Sequence, residues 1–180
     1  ELVSKLNENE VFVDLVRFPY FSHYSGKWTD SIKYLVFISD SKDTVVDHIF
    51  IHNGEELEKE IFSNYNSFTS RSNKTFEQKD LLSYDYFWKP IDDKIGDAKI
   101  IYVSMSGIYN NINLNTLYNP KSRKYLVEEK DIRMVNSARD FILLKEGEQK
   151  NYNSSTAVLF GYPNYDGNTT VSNDSSDIAI

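Results

Sequence analysis

The first third of the chain alternates short apolar runs with polar turns. Residues 10–18 (EVFVDLVRF) are rich in Val and Phe and end at Pro19, residues 33–39 (KYLVFIS) are nearly continuous in apolar side chains, and residues 44–51 (TVVDHIFI) follow a polar turn. Runs of this length and composition predict three strands, and residues 20–31 between the first two predict a polar aromatic loop. A tight polar turn between two strands predicts an antiparallel hairpin.

Two amphipathic segments follow these strands and predict helices. Asn53 precedes Glu56 by three residues, a spacing typical of a capping box in which Asn53 accepts a hydrogen bond from the backbone at Glu56. Leu57, Ile61 and Tyr65 recur every four residues, as on one face of a helix.

A second segment begins in the same manner at Thr75. Leu81, Tyr84 and Trp88 share its predicted apolar face, and Pro90 is expected to end or kink the helix.

The second half of the chain adds a buried strand with both faces apolar. Residues 99–104 (KIIYVS) have the composition of a strand from a parallel sheet, and a turn follows at Ser106-Gly107. Two short strands are predicted at about 112–117 and 124–128, and another buried strand at 157–160. Ser137 is a suitable N-cap for a helix carrying Phe141, Leu143 and Leu144. Strands mixed with helices predict an α/β fold with a mixed sheet and flanking helices.

Composition limits the classes of partner. With 180 residues, of which 40% are hydrophobic, the chain can bury one substantial core. Its net charge of −7 repels phosphate and anionic lipid, so we expect no direct nucleic-acid partner and no membrane partner. Every apolar run is far shorter than the roughly 20 residues that span a bilayer.

The chain contains no cysteine. Thiolate chemistry, disulfides and thiolate metal sites are therefore excluded within these residues, and a reducing cytoplasm is the expected location. A Ser/His/Asp site would need His23, His48 or His52, but Ser104-Met-Ser106-Gly107 lacks the first glycine of a nucleophile elbow. We predict no metal and no cofactor, because His48 and His52 lie about 13 Å apart along a strand.

Six short phrases of the sequence, taken in order, are similar to those of a known family. They are residues 11–16 with 34–38, Tyr86-Phe-Trp-Lys-Pro90, residues 101–117, residues 125–128 (YLVE), Asn136-Ser-Ala138, and residues 159–165 (LFGYPNY). Together they resemble the amino-terminal half of the CHAT domain, a caspase-like branch of the cysteine proteases related to separase. The resemblance covers about residues 8–167. Asn115 and Asn136 stand where the family often has proline.

The resemblance implies an incomplete caspase-like (CHAT) architecture with four parts. Residues 1–9 would join an upstream module and residues 10–155 would form a supporting subdomain. Residues 156–165 would be the first strand of the caspase-like core, and residues 166–180 a mobile loop.

The resemblance also implies a function. The chain would be the non-catalytic first portion of a CHAT-domain cysteine endopeptidase, a regulated protease that could serve prokaryotic defence, with its His/Cys pair downstream. Its expected partners are the remainder of the CHAT domain carrying His and Cys, an upstream sensor or helical-repeat module, and a protein substrate. Tyr162, Asn164 and Tyr165 would line the substrate cleft, or else form a proline turn packed by tyrosine. The alternative function is a degenerate CHAT-like binding or scaffold module without catalysis.

Overall fold

The computed structural model describes residues 1–42, 45–70 and 79–148, which fall within one compact unit, Glu1–Lys150. The fold of this part is α/β, as predicted. Its strands are β1 (Glu10–Ser22), β2 (Lys27–Asp40), β3 (Asp47–Ile51), β4 (Ile100–Ser104), β5 (Tyr118–Asn119), β6 (Lys124–Tyr125) and β7 (Asp131–Val135). Its α-helices are α1 (Gly54–Glu56), α2 (Phe62–Thr69), α3 (Ser83–Phe87), α4 (Lys89–Ile95), α5 (Leu126–Glu129) and α6 (Ala138–Glu148). A π-helical turn, Leu57–Ile61, joins α1 to α2, and short 3₁₀ turns lie at Val3–Lys5, Gly107–Asn111 and Leu114–Thr116.

Five of the strands form one mixed sheet in the order β3-β2-β1-β4-β7. β3 and β2 pair antiparallel, as the polar turn between them predicts, and β2 and β1 also pair antiparallel. The half made of β1, β4 and β7 is parallel, as the apolar composition of β4 predicts. β5 and β6 form a separate antiparallel pair.

The two faces of the sheet bury different side chains, because successive residues of a strand point to opposite faces. Val11, Val13 and Leu15 of β1 belong to the larger core cluster, with the helical segments between β3 and β4. Phe12 belongs to a smaller cluster with Tyr102 of β4 and Phe141 of α6. The sheet is therefore covered on both faces at its parallel half.

The prediction of a loop at residues 20–31 is wrong. β1 continues to Ser22 and β2 begins at Lys27, so the two strands form a long hairpin. Pro19 lies opposite Ile32 at a register shift, where the missing amide hydrogen does not interrupt a regular ladder. Beyond the shift, Phe21 and Trp28 face each other across the hairpin.

The first helical segment carries the predicted apolar face but not the predicted cap. Leu57, Ile61 and Tyr65 are all buried in the core. The Asn53 side chain makes no capping bond to the backbone. Its amide instead donates to the Glu56 carboxylate at 2.7 Å, so the cap prediction is wrong in detail.

The second helical segment also departs from its prediction. Thr75 lies outside the described residues. Tyr84 and Trp88 are buried as predicted, whereas Leu81 precedes α3 and is exposed. The helix breaks at Trp88, between α3 and α4, as Pro90 predicts. Pro90 itself lies in the first turn of α4, where proline lacks only an amide hydrogen that this turn leaves unpaired.

The chain after β4 contains less strand than predicted at two places and more at a third. Residues 114–116 form a 3₁₀ turn, and the predicted strand at 124–128 is the two-residue β6 followed by α5. β7 was not predicted, since its exposed residues obscure the apolar pattern. Ser137 caps α6 as predicted by accepting from the Asp140 amide at 3.2 Å. The helix runs from Ala138 to Glu148.

The predicted strand at 157–160, the segments 156–165 and 166–180, and Asp43-Thr44 lie outside the described residues. Over the part that the structure describes, no helix has the length and apolar character needed to cross a bilayer.

Candidate functional site

β4 and β7 end together beside Asp14 of β1, which continues past them, and we call this side of the sheet the carboxyl edge. It comprises Asp14 and Arg17 of β1, residues 104–107 at and after the end of β4, and Asn136 after β7. Open α/β sheets bind their ligands at the carboxyl ends of such strands. A ligand-binding or catalytic site is therefore expected at this edge.

An ion pair between Arg17 and Glu58 is the strongest polar feature of the carboxyl edge. Arg17 Nε lies 2.6 Å from Glu58 Oε1, and a second guanidinium nitrogen lies 3.0 Å from Oε2. This two-point geometry matches the fork of a guanidinium to both oxygens of a carboxylate. Tyr34 donates its hydroxyl hydrogen to Glu58 Oε1 at 2.6 Å, so three donor bonds converge on one carboxylate.

Three separate elements position these side chains. Arg17 comes from β1, Tyr34 comes from the neighbouring strand β2, where it is the register partner of Arg17, and Glu58 comes from the π-helical turn. A π-helical turn changes the direction of the side chains that follow it and is frequent at functional sites. This turn begins at buried Leu57 and ends at buried Ile61, and it carries Glu58, whose carboxylate belongs to the cluster.

The loop after β4 closes over this cluster. The Ile108 amide donates to the Tyr34 hydroxyl oxygen at 3.0 Å, and the Arg17 amide donates to Ser106 Oγ at 3.4 Å. Gly107 has a φ of +61°, in the left-handed region. A Cβ atom at this position would collide with Arg17 Cδ and the Tyr34 hydroxyl oxygen. Only glycine fits this close approach.

The cluster fixes the charge of each member. Hydrogen bonding to Glu58 raises the pKa of Arg17, and hydrogen bonding from Arg17 lowers the pKa of Glu58 despite partial burial. Burial, with the bond to Glu58, raises the pKa of Tyr34 well above its ordinary value. At neutral pH the carboxylate is charged, the guanidinium is charged and the phenol keeps its proton.

This arrangement has no spare group for acid–base or nucleophilic work. Both Glu58 oxygens already accept hydrogen bonds, and the Arg17 charge is neutralised at hydrogen-bond distance. The cluster therefore ties β1, β2, the π-helical turn and the loop after β4 together. Its chemical role in the described part of the chain is to hold the carboxyl edge in one shape.

The serines of the carboxyl edge have no imidazole beside them. Ser104 is the register partner of Asp14 and donates to the Asn136 carbonyl at 3.3 Å. His48 lies on β3, three strands from β4 and so about 14 Å away. His23 packs beside Phe21 near the hairpin turn, and the His52 ring lies 4.4 Å from that of Phe50. A Ser/His/Asp site is therefore not formed among the described residues.

Metal and base-stacking sites find no support either. Within residues 1–42, 45–70 and 79–148, no group of three potential metal ligands comes together. The aromatic residues at 84–88 pack in the core, where Tyr84, Phe87 and Trp88 are buried. They are unavailable as a platform for nucleotide bases.

The predicted cleft residues Tyr162, Asn164 and Tyr165 lie outside the described residues, so their placement stays a prediction. Sequence reasoning missed both the Arg17–Glu58 pair and the aromatic hairpin of β1 and β2. For the Arg17–Glu58 pair, the one available signal in the sequence was the Ser106-Gly107 turn. For the aromatic hairpin, the signal was the group of aromatic residues around Tyr20 and Tyr24.

Comparisons of this chain with protein-family models, curated proteins and solved structures found no match.

Proposed function

We propose that this chain is the non-catalytic first portion of a CHAT-domain cysteine endopeptidase, whose His and Cys follow it in a longer polypeptide. The proposal includes a caspase-like architecture and a cytoplasmic setting. Its partners would be the remainder of the domain, an upstream sensor or helical-repeat module, and a protein substrate. A role in prokaryotic defence belongs to the same proposal.

One observation carries the proposal more than any other. β1 and β4, which hold two of the family-like phrases, are adjacent parallel strands in the centre of a mixed sheet. This is the geometry in which strand ends can carry catalytic groups at a shared edge. The chain has no cysteine to place there, so a thiolate would have to come from further sequence.

The carboxyl edge is compatible with a supporting role beside such a cleft. The Arg17–Glu58–Tyr34 cluster and the close approach of Gly107 fix the loop after β4 without using a reactive group. A rigid wall of this kind would hold a neighbouring strand end in register. In the proposed mechanism a downstream His takes the proton of a downstream Cys, and the thiolate attacks a peptide carbonyl.

The test is to read the gene beyond Ile180 and to express the longer polypeptide. We expect a His and a Cys, each at the end of a strand, and labelling by a cysteine-directed peptide probe. Labelling should vanish when that Cys is replaced by Ala. The 180-residue chain alone is the matched control and should not be labelled, because it has no thiol.

A second candidate function is a degenerate CHAT-like module that binds a partner without catalysis. The observation favouring it is the fully engaged Glu58 carboxylate, because the Arg17–Glu58–Tyr34 cluster then offers no free base. A gene that ends at Ile180, or a longer chain in which the His and Cys are replaced, would establish this candidate and overturn the first.

A further inference from the structure

The hairpin of β1 and β2 projects beyond the rest of the sheet. β4 pairs only with Glu10–Asp14 of β1, and β3 pairs only with residues 34–38 of β2. Among the described residues, therefore, no third strand lies beside residues 18–33. We call this segment the aromatic arm. A two-stranded hairpin is marginally stable alone in water, so a long projecting one calls for an explanation.

The arm exposes large aromatic side chains. Trp28 is 67% exposed, Tyr20 is 43% exposed, and Tyr24 in the turn is fully exposed. The Phe21 ring packs against the Trp28 ring, with ring centroids 5.2 Å apart in an edge-to-face arrangement. Exposed Trp and Tyr residues are typical of those that carry binding energy at protein interfaces.

The arm differs in charge from the body of the chain. It contains Lys27 and Lys33 but a single acid, Asp30, so its net charge is positive although the whole chain carries −7. Lys33 is used within the fold, since it donates to the His52 carbonyl. Lys27 is exposed at the start of β2, next to Trp28.

A groove of opposite charge adjoins the base of the arm. It is an open depression of about 490 Å³ between Ser31 of the arm and the helical segment after β3, where Glu55, Glu56 and Glu60 line it around Lys59. We call it the acidic groove.

We propose that two copies of this chain pair about a twofold axis, with the aromatic arm of each lying along the acidic groove of the other. Lys27 would contact the groove glutamates, and Trp28 would be covered by the partner's arm and groove. The arm and the groove complement each other in charge. The arm and the groove adjoin at Ser31. A single twofold contact can therefore cover the arm and the groove of both copies at once.

The length of the arm suits this exchange. Five residue steps separate Lys27 near the tip from Ile32 at the base, which corresponds to about 17 Å of strand. Two arms lying antiparallel would therefore place each tip at the base of the other. The net charge of each copy opposes association at long range. At physiological salt that repulsion is screened beyond about 8 Å, whereas close Lys–Glu contacts remain.

Other occupants fit the arm less well. An anionic membrane would attract Lys27 but would be repelled by the three glutamates beside the arm. An acidic foreign protein would meet the same repulsion. A second copy is the partner that satisfies the lysine and the glutamates together.

The test is sedimentation equilibrium of the 180-residue chain over a wide concentration range at physiological salt. We expect a monomer–dimer equilibrium that Tyr24→Ala, Trp28→Ala and Lys27→Glu each weaken by about tenfold or more. Tyr24 is fully exposed, so its replacement leaves the fold unchanged even if loss of Trp28 loosens the arm. Lys121→Glu, the same charge change at an exposed lysine elsewhere, should leave the equilibrium unaltered.

A charge exchange gives the sharper result. Glu55→Lys with Glu60→Lys should weaken the dimer, and combining these with Lys27→Glu should restore it. A monomer at every concentration would overturn the proposal. A dimer whose dissociation constant is the same in the parent and in all of the arm variants would overturn it as well. Binding of a monomeric chain to phosphatidylserine vesicles or to poly-glutamate, lost in Trp28→Ala, would assign the arm to another occupant and would also overturn it.

Discussion

The amine of Lys145, near the end of α6, lies 2.8 Å from a carboxylate oxygen of Glu10 at the start of β1. Both side chains are buried, with exposures of 8% and 5%. Tyr102 joins them, since its hydroxyl lies 3.4 Å from the same oxygen and its ring centroid 5.0 Å from the amine. The pair connects residues that are 135 positions apart and attaches α6 to the sheet.

Removing one partner of this pair should destabilise the fold strongly. Lys145→Met leaves the Glu10 carboxylate buried without its cation, and we expect a loss of about 3–5 kcal/mol in the free energy of unfolding. Urea denaturation at neutral pH measures this. Adding Glu10→Leu to the same chain should recover much of the loss, because no buried charge then remains.

Lys5→Met is the matched control for that variant. Lys5 also pairs with a glutamate of α6, Glu146 at 3.4 Å, but both side chains are more exposed. Its removal should change stability by less than about 1 kcal/mol. Equal losses for Lys5→Met and Lys145→Met would show that burial does not determine the strength of the pair.

The sequence predicted the sheet better than the segments around it. β4 was predicted as a parallel strand because its residues are apolar on both faces, and α6 was predicted from Ser137. β7 was missed, since an edge strand with exposed Asp131, Arg133 and Met134 carries no apolar alternation. The sequence gives no local signal that Lys145 is buried, because burial of a lysine depends on a partner that is remote in sequence.

The polar cluster of the carboxyl edge could not be predicted for the same reason. Glu58 lies 41 residues from Arg17 and 24 from Tyr34, and no local spacing connects them. The π-helical turn adds to the difficulty, since it departs from the periodicity of 3.6 residues on which helix-face predictions depend. The glycine at 107 indicates a turn but not the two side chains that require it.

Acid should destabilise the chain through Glu10 and Glu58. Burial alone would raise the pKa of Glu10, but hydrogen bonds from Lys145 and the Asn7 amide lower it overall. The pKa of Glu58 is lowered by its bond from Arg17. A carboxylate whose pKa is lower folded than unfolded contributes stability above the unfolded value, about 4.3, and loses it as the pH falls through the folded value.

Urea unfolding at neutral pH and at about pH 3 tests this contribution. Glu58→Gln should be less stable than the parent at neutral pH, and its further loss on acidification should be smaller. Glu60→Gln, at an exposed position nearby, should lose as much stability in acid as the parent chain does. An acid loss in Glu58→Gln equal to that of the parent would contradict the linkage.

Gly107→Ala should be far more damaging than Gly26→Ala. Both glycines have positive φ, +61° and +63°, so each substitution carries a similar backbone cost of about 1–2 kcal/mol. At Gly26 a new Cβ meets open space, whereas at Gly107 it collides with Arg17 and the Tyr34 hydroxyl. Overpacking of this kind adds about 1–3 kcal/mol. Thermal unfolding of the two variants should differ by that extra loss, and equal melting temperatures would contradict the close approach.

Phe141 and Leu143, which the sequence predicts on the same helix, should respond differently to replacement by alanine. Phe141 is fully buried, with its ring 4.7 Å from that of Tyr102 and 5.3 Å from that of Phe12. Phe141→Ala should therefore cost about 3–5 kcal/mol. Leu143 is 55% exposed on the same helix, and Leu143→Ala should change stability by no more than about 0.5 kcal/mol. Alanine is the better helix former in both cases, and the gain is larger over Phe than over Leu, so propensity acts against the expected difference. Equal losses in urea unfolding would mean that α6 does not pack on the sheet through Phe141.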